Sequence, residues 1–138
     1  MPILGHNIVK IEVEKFSATG GKVEVSINPK IENLRLGELQ LPTGRVKGIE
    51  VEVSYMVNYT PEVAKSVVRL ILFYVPRAKE EIDKILDEWE DKKQLPGELV
   101  AEVVNFTTSE LMPLMMMLSK EMRIPYPIPI PRVVVKQE

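Results

Sequence analysis

Residues 98–132 read ELVAEVVNFTTSELMPLMMMLSKEMRIPYPIPIPR, and this stretch decides which fold the chain can adopt. Its first part is apolar at helical spacing, whereas residues 123–132 alternate proline with isoleucine or tyrosine. Each proline fixes φ near about −65° and removes a backbone N–H donor, and it pushes the preceding residue to an extended conformation. Residues 123–132, called the Pro-rich segment below, are therefore predicted to form a stiff, extended apolar strip that covers another part of the protein or is covered by a partner.

The methionines are concentrated in the helical part of this stretch. Five of the seven lie between residues 112 and 122. One helical stripe suited to a core consists of Leu111, Leu114, Met115 and Leu118. Three consecutive methionines span roughly 200° of a helix, so this helix is apolar around more than one face. Two interpretations stay open: the helix packs between a core and a second subunit, or one face contacts client polypeptides, since methionine is common on promiscuous binding surfaces.

The first half of the chain shows the alternation of apolar and polar residues that is typical of strands. It predicts strands at residues 8–14, 22–28 and 48–59, with a weaker, irregular strand at 31–39. In the first strand Val9, Ile11 and Val13 are expected to share one face. Pro29 is expected to interrupt pairing before the weaker strand, and LPTGRVKG, residues 41–48, is expected to form a loop.

Residues 66–75, SVVRLILFYV, are apolar on both faces of a strand except at Arg69. Their β-branched content favours a strand over a short buried helix, which the periodicity alone leaves open. Both faces of such a strand need cover, and one helical layer covers a single face. The other cover would come from a partner subunit, a ligand or another part of the chain.

Helical periodicity begins after Pro76. An amphipathic helix is predicted within residues 77–94, and a second helix from residue 98. The segment NFTTSE, residues 105–110, is expected to interrupt that second helix, because its hydroxyl residues are good helix caps. We expect a single domain over residues 1–138.

The composition excludes several classes of function. The net charge is −2 and no basic stripe is present, which argues against nucleic-acid binding. There is no cysteine, and one histidine, His6, so no metal site, thiol chemistry or catalytic triad is predicted. No phosphate-binding loop, signal peptide or long apolar run is found. The sequence thus predicts a soluble cytoplasmic protein that is not an enzyme, needs no cofactor and does not insert into a membrane.

The order of the elements resembles the SecB-type protein-export chaperones, including the SecB-like chaperones of toxin–antitoxin systems. The residues that carry the resemblance are the helical stretch 98–122 and the following RIPYPIPIPRVVV, residues 123–135. Pro125, Ile128 and Pro129 fall where that family has a short extended segment rich in proline and large aliphatic residues. The resemblance implies an α+β fold, in which C-terminal helices pack on one side of a four-stranded antiparallel sheet. It also implies a homotetramer built as a dimer of dimers.

The resemblance further implies a holdase that binds unfolded polypeptides or preproteins in an apolar groove. The candidate client-binding residues are Met112, Met116 and Met117 on the helix, and Ile124, Tyr126 and Ile128 on the Pro-rich segment. Two other functions stay open at this point. One is a dedicated interaction or assembly subunit with one folded partner, and the other is an enzyme or small-ligand binder on the sheet.

Overall fold

The computed structural model describes residues 3–17 and 21–128. These residues form four strands and then two helices: β1 Ile3–Lys15, β2 Glu24–Leu41, β3 Gly44–Thr60, β4 Ala64–Tyr74, α1 Glu80–Lys92 and α2 Gly97–Met122. The strands make one antiparallel sheet in the order β1-β4-β3-β2. The predicted α+β fold, with a four-stranded antiparallel sheet followed by two helices, is confirmed.

The core lies between the helices and one face of the sheet. On β3 this face carries Ile49, Val51, Val53, Tyr55, Val57 and Tyr59, all buried as the alternation predicted. On β4 it carries their cross-strand partners Val68, Leu70, Leu72 and Tyr74. Helix α1 adds Ile82 and Ile85 to this core, and its Trp89 indole donates a hydrogen bond to Asn33 at 3.4 Å. Burying each such aliphatic side chain stabilises the fold by roughly 1.5–3 kcal/mol.

The other face of the sheet has no second layer among the described residues. Val67 and Ile71 of β4 are only half-buried there, and Arg35 forms an ion pair with Glu50. Phe73 is nevertheless buried, because its ring lies against the backbone of Gly48. A strand that is apolar on both faces was expected to need cover on both. On this face part of the cover comes from the sheet itself, because glycine at position 48 leaves room for the ring of Phe73.

Three sequence-based boundaries are wrong. Strand β2 runs through Pro29, which lies opposite Tyr55. An edge strand tolerates proline, since a missing N–H on the outer side costs no ladder hydrogen bond. Residues 41–48 are not a loop: β3 already begins at Gly44, whose φ of 134° suits the end of a tight hairpin.

Helix α2 continues through residues 105–110, where an interruption was predicted. Thr107 is fully buried against the sheet instead of capping a helix end. Pro113 also lies inside the helix, and both Pro113 and Ser109, whose carbonyl lacks its helical partner, are exposed. The lost hydrogen bond can therefore be made with solvent, which lowers the cost of an interior proline.

Strand β1 departs from the predicted alternation. A register shift between Ile8 and Lys10 takes Val9 out of the ladder. Ile11 and Val13 do lie opposite core-side residues of β4, but Ile11 remains about half exposed. Val9 and Ile11 of β1 are therefore left without cover by the helices within the described chain.

We predict that Gly48→Ala destabilises the protein by about 1–3 kcal/mol, the usual cost of overpacking. A Cβ at Gly48 would lie 2.7 Å from the Tyr74 carbonyl oxygen and 2.8 Å from Cζ of Phe73. The matched control is Gly5→Ala on β1, where a Cβ has no atom within 4 Å. Urea unfolding should show a change within about 0.5 kcal/mol for the control. Equal stability of the two variants would show that Phe73 does not rest on Gly48.

Candidate functional site

Helix α2 is about 39 Å long, and one ridge of it faces the sheet. The ridge consists of every fourth residue: Leu99, Val103, Thr107, Leu111, Met115 and Ser119, all of them buried. Leu111 and Met115 are therefore core residues, as predicted. Leu114 and Leu118, which were assigned to the same stripe, are only half-buried.

The three candidate methionines lie off this ridge. Met112 and Met116 are half-buried, and Met117 is 62% exposed. The C-terminal half of α2 therefore carries apolar side chains beyond those that its own core uses. Exposed apolar clusters of this kind are typical of interaction surfaces.

The end of α2 is fixed by a left-handed residue. Arg123 has φ 54° and ψ 47°, and its N–H donates to the carbonyl of Lys120. The next N–H, of Ile124, donates to the carbonyl of Ser119 at 3.0 Å. This pair of hydrogen bonds is a Schellman motif, which turns the chain back towards the helix and usually places an apolar side chain against it.

Ile124 accordingly lies in the core, with 6% of its surface exposed. The predicted presentation of Ile124 on the surface is therefore wrong, because the Schellman turn directs it inward. Tyr126 and Ile128 are each 38% exposed, while Pro127 between them is buried. Residues 124–128 of the Pro-rich segment thus alternate: one set of side chains seals the core and the other set faces outward. Residues 129–132 of this segment, including Pro129, lie outside the described residues.

A tyrosine of the sheet holds this segment in place. The Tyr59 hydroxyl donates to the Pro125 carbonyl oxygen at 3.0 Å. Burial raises the pKa of Tyr59 above its usual value, against the opposing effect of a hydrogen bond with Ser119. The phenol therefore stays protonated at neutral pH and remains a donor. Sequence reasoning placed Tyr59 only on the core face and gave no signal for this contact, since it joins residues far apart in the chain.

Polar contacts also join α2 to the strands. The hydroxyls of Tyr55 and Thr108 lie 3.2 Å apart. At the sheet edge, His6 of β1 lies 3.6 Å from a carboxylate oxygen of Glu110 and edge-on to Phe106. His6 therefore contributes to packing between β1 and α2.

Other apolar residues are exposed on β1 and directly after its end at Lys15, and sequence reasoning missed their exposure. Leu4, Val9, Ile11 and Phe16 are each close to half exposed. Alternation alone predicted that Val9 and Ile11 share a buried face. The pattern does not show that β1 is an edge strand, which is why their exposure was missed.

Within residues 3–17 and 21–128, no group of three acidic or histidine side chains is arranged to hold a metal ion. In the same residues, neither helix is long and apolar enough to cross a membrane.

The element order, sheet topology and Pro-rich segment define a SecB-like α+β fold. Comparison with solved structures supports this directly. The Mycobacterium tuberculosis protein Rv1957, a SecB-like chaperone solved in complex with a ChAD peptide from the Rv1956 HigA1 antitoxin, matches 96% of this chain and 88% of its own. The TM-score is 0.54 and the sequence identity 10%, so the likeness is one of fold. No protein-family model matches the chain, and neither does any curated protein.

We predict that Tyr59→Phe loosens the Pro-rich segment. Removing the hydroxyl leaves the Pro125 carbonyl without its donor and should cost about 0.5–1.5 kcal/mol in urea unfolding. Amide hydrogen exchange at residues 124 and 126 should accelerate. The control is Tyr126→Phe, at an exposed tyrosine on the same segment, which should change neither quantity. Unchanged exchange in Tyr59→Phe would mean that this hydrogen bond does not hold the segment.

Proposed function

We propose that this protein is a SecB-like holdase that binds non-native polypeptides on an apolar surface made by α2 and the Pro-rich segment. The observation that carries the proposal is a set of apolar side chains, near the C-terminal end of α2, that the core of the protein does not use. Met112, Met116 and Met117 lie outside the core ridge of α2, and Tyr126 and Ile128 point outward from the segment that follows it. The fold adds support, because the structurally similar Rv1957 is a SecB-like chaperone solved with a bound peptide.

The mechanism needs no bond to be made or broken. Each Å² of apolar surface that a client buries makes the binding free energy more favourable by roughly 25 cal/mol. Methionine side chains adapt to different sequences, while prolines keep Tyr126 and Ile128 in place at little entropic cost. Several weak contacts would hold a client and still release it. The proposal includes a cytoplasmic location and requires neither nucleotide nor metal.

The proposal extends to a homo-oligomer, most simply a tetramer. Val9 and Ile11 are half exposed on an edge strand, and Met117 is more exposed still. Edge strands with exposed apolar side chains favour pairing with another chain. We therefore expect multi-angle light scattering at micromolar concentration to give a mass near four times 15.7 kDa. A monodisperse monomer would contradict this part of the proposal.

We predict that polar substitution of outward residues weakens client holding while the fold survives. Met116→Gln, Met117→Gln and Tyr126→Ser should each raise the Kd for an unfolded client by about 3- to 10-fold, equivalent to about 0.6–1.4 kcal/mol. The matched control is Leu36→Gln, since Leu36 is an exposed apolar residue on β2, away from α2 and the Pro-rich segment.

Client binding would be followed by suppression of aggregation of an unrelated denatured protein, together with melting temperature and oligomer mass. Unchanged binding in all three variants at unchanged stability would place clients elsewhere. Lost stability in all three would mean that the segment only seals the core. Failure to hold any unrelated client would instead favour the alternative function, a dedicated assembly subunit for one folded partner.

A further inference from the structure

A recess separate from the proposed client surface lies at the opposite end of α2 from the Pro-rich segment. It has a volume of about 580 Å³ and lies between the start of β1, the end of β4 and the first turns of both helices. The lining residues used here are Leu4, Tyr74, Arg77, Glu81, Glu98 and Glu102. From Glu102 to the end of α2 is about 30 Å along the helix, so this acidic cleft is separate from the proposed client surface.

Charge in the acidic cleft is unbalanced. Three carboxylates, of Glu81, Glu98 and Glu102, line it together with one guanidinium, that of Arg77. Arg77 is almost fully exposed, and within the described residues its one ion pair is with Glu98, at 3.5 Å. Among the described residues, Glu81 and Glu102 form no ion pair. The cleft therefore favours a cationic occupant.

Two polar groups that line the acidic cleft lack partners among the described residues, and one of them, Oε2 of Glu102, is buried. Oε2 of Glu102 is covered and has no hydrogen bond within the described chain. Tyr74 is 6% exposed, lines the cleft, and forms no side-chain hydrogen bond with a described residue. Burial, and then the charges of Glu102, Glu98 and Glu81, raise the pKa of Tyr74, so its hydroxyl stays protonated. Buried polar groups are nearly always paired, and unpaired ones point to a missing partner.

The spacing of the carboxylates selects among cations. They are not close enough together to form a three-ligand metal site. A planar guanidinium, by contrast, carries five N–H donors in a fork and can reach acceptors that lie apart. Leu4 supplies an exposed apolar wall, against which the aliphatic stem of an arginine can pack.

We propose that the acidic cleft binds the guanidinium group of an arginine side chain presented by a partner polypeptide. The site adds a charge-specific anchor to a protein whose proposed client surface is apolar. It does not depend on the proposed holdase function, because none of its residues belongs to α2's methionine cluster or to the Pro-rich segment.

The test is an NMR titration of the full chain with N-acetyl-arginine amide. We expect saturable amide shifts at Leu4, Tyr74, Val75, Arg77, Glu98 and Glu102, with a millimolar Kd that rises with salt. The ligand control is N-acetyl-citrulline amide, which keeps the shape but carries a neutral urea in place of the guanidinium. Equal binding of the citrulline compound, or shifts confined to other parts of the chain, would overturn the proposal.

Substitutions provide the second arm of the test. Glu102→Gln should weaken arginine binding at least 5-fold, and Tyr74→Phe should weaken it about 2-fold or more. Arg77→Gln should tighten binding, since it removes the competing cation. The matched control is Glu110→Gln, on the same helix but beside His6, with no expected effect.

Melting curves identify any variant that fails to fold, and Arg77→Gln keeps the test decisive because its expected effect is a gain. Equal affinity in Glu102→Gln and Glu110→Gln would contradict the assignment. So would binding of spermidine without binding of the arginine compound. Client holding by the same variants should be unchanged, which separates failure of this site from failure of the holdase proposal.

Discussion

The structure depends on one contact, between the odd-numbered face of β3 and the i+4 ridge of α2. Both surfaces are fully buried, from Ile49 to Tyr59 on the strand and from Leu99 to Ser119 on the helix. Because this contact fixes α2 across the sheet, it also fixes which residues of the helix are left outside. The methionines beside the ridge and the acidic residues near its first turns remain on the surface, at opposite ends of the same helix.

Much of this contact can be predicted from the sequence. The period-two pattern of residues 49–59 is unbroken, so it specifies one face without any knowledge of the neighbouring strands. The same holds for Leu111 and Met115 at helical spacing. Two predicted interruptions show where the method fails. Pro29 was expected to interrupt strand pairing, but it lies within an edge strand. Residues 105–110 were expected to interrupt α2, but the helix is continuous there and Thr107 is buried. Whether an element continues through such a residue depends on where the residue lies in the fold. A local sequence pattern does not contain that information.

The exposure of the candidate client-binding residues was predicted in part. Met117, Tyr126 and Ile128 are exposed, so the structure leaves them available for contact. Ile124 is not, because a non-glycine residue, Arg123, adopts a left-handed conformation and turns the chain inward. Nothing in the sequence indicates that turn, since glycine is the usual residue there. The acidic cleft was also missed, because its members come from β1, β4, the β4–α1 connection, α1 and α2 and meet only in the folded chain.

The account therefore assigns different chemistry to the two ends of α2, and the central claim concerns the apolar end. It is tested most directly by mapping where an unfolded polypeptide contacts the protein. The measurement is the change in methyl NMR signals of the methionines and isoleucines on adding an apolar, unstructured peptide without arginine. The account predicts changes at Met112, Met116, Met117 and Ile128, with the core residue Met115 little affected. Changes confined to the exposed apolar residues of β1, or saturable binding that leaves these four methyl groups unperturbed, would contradict it.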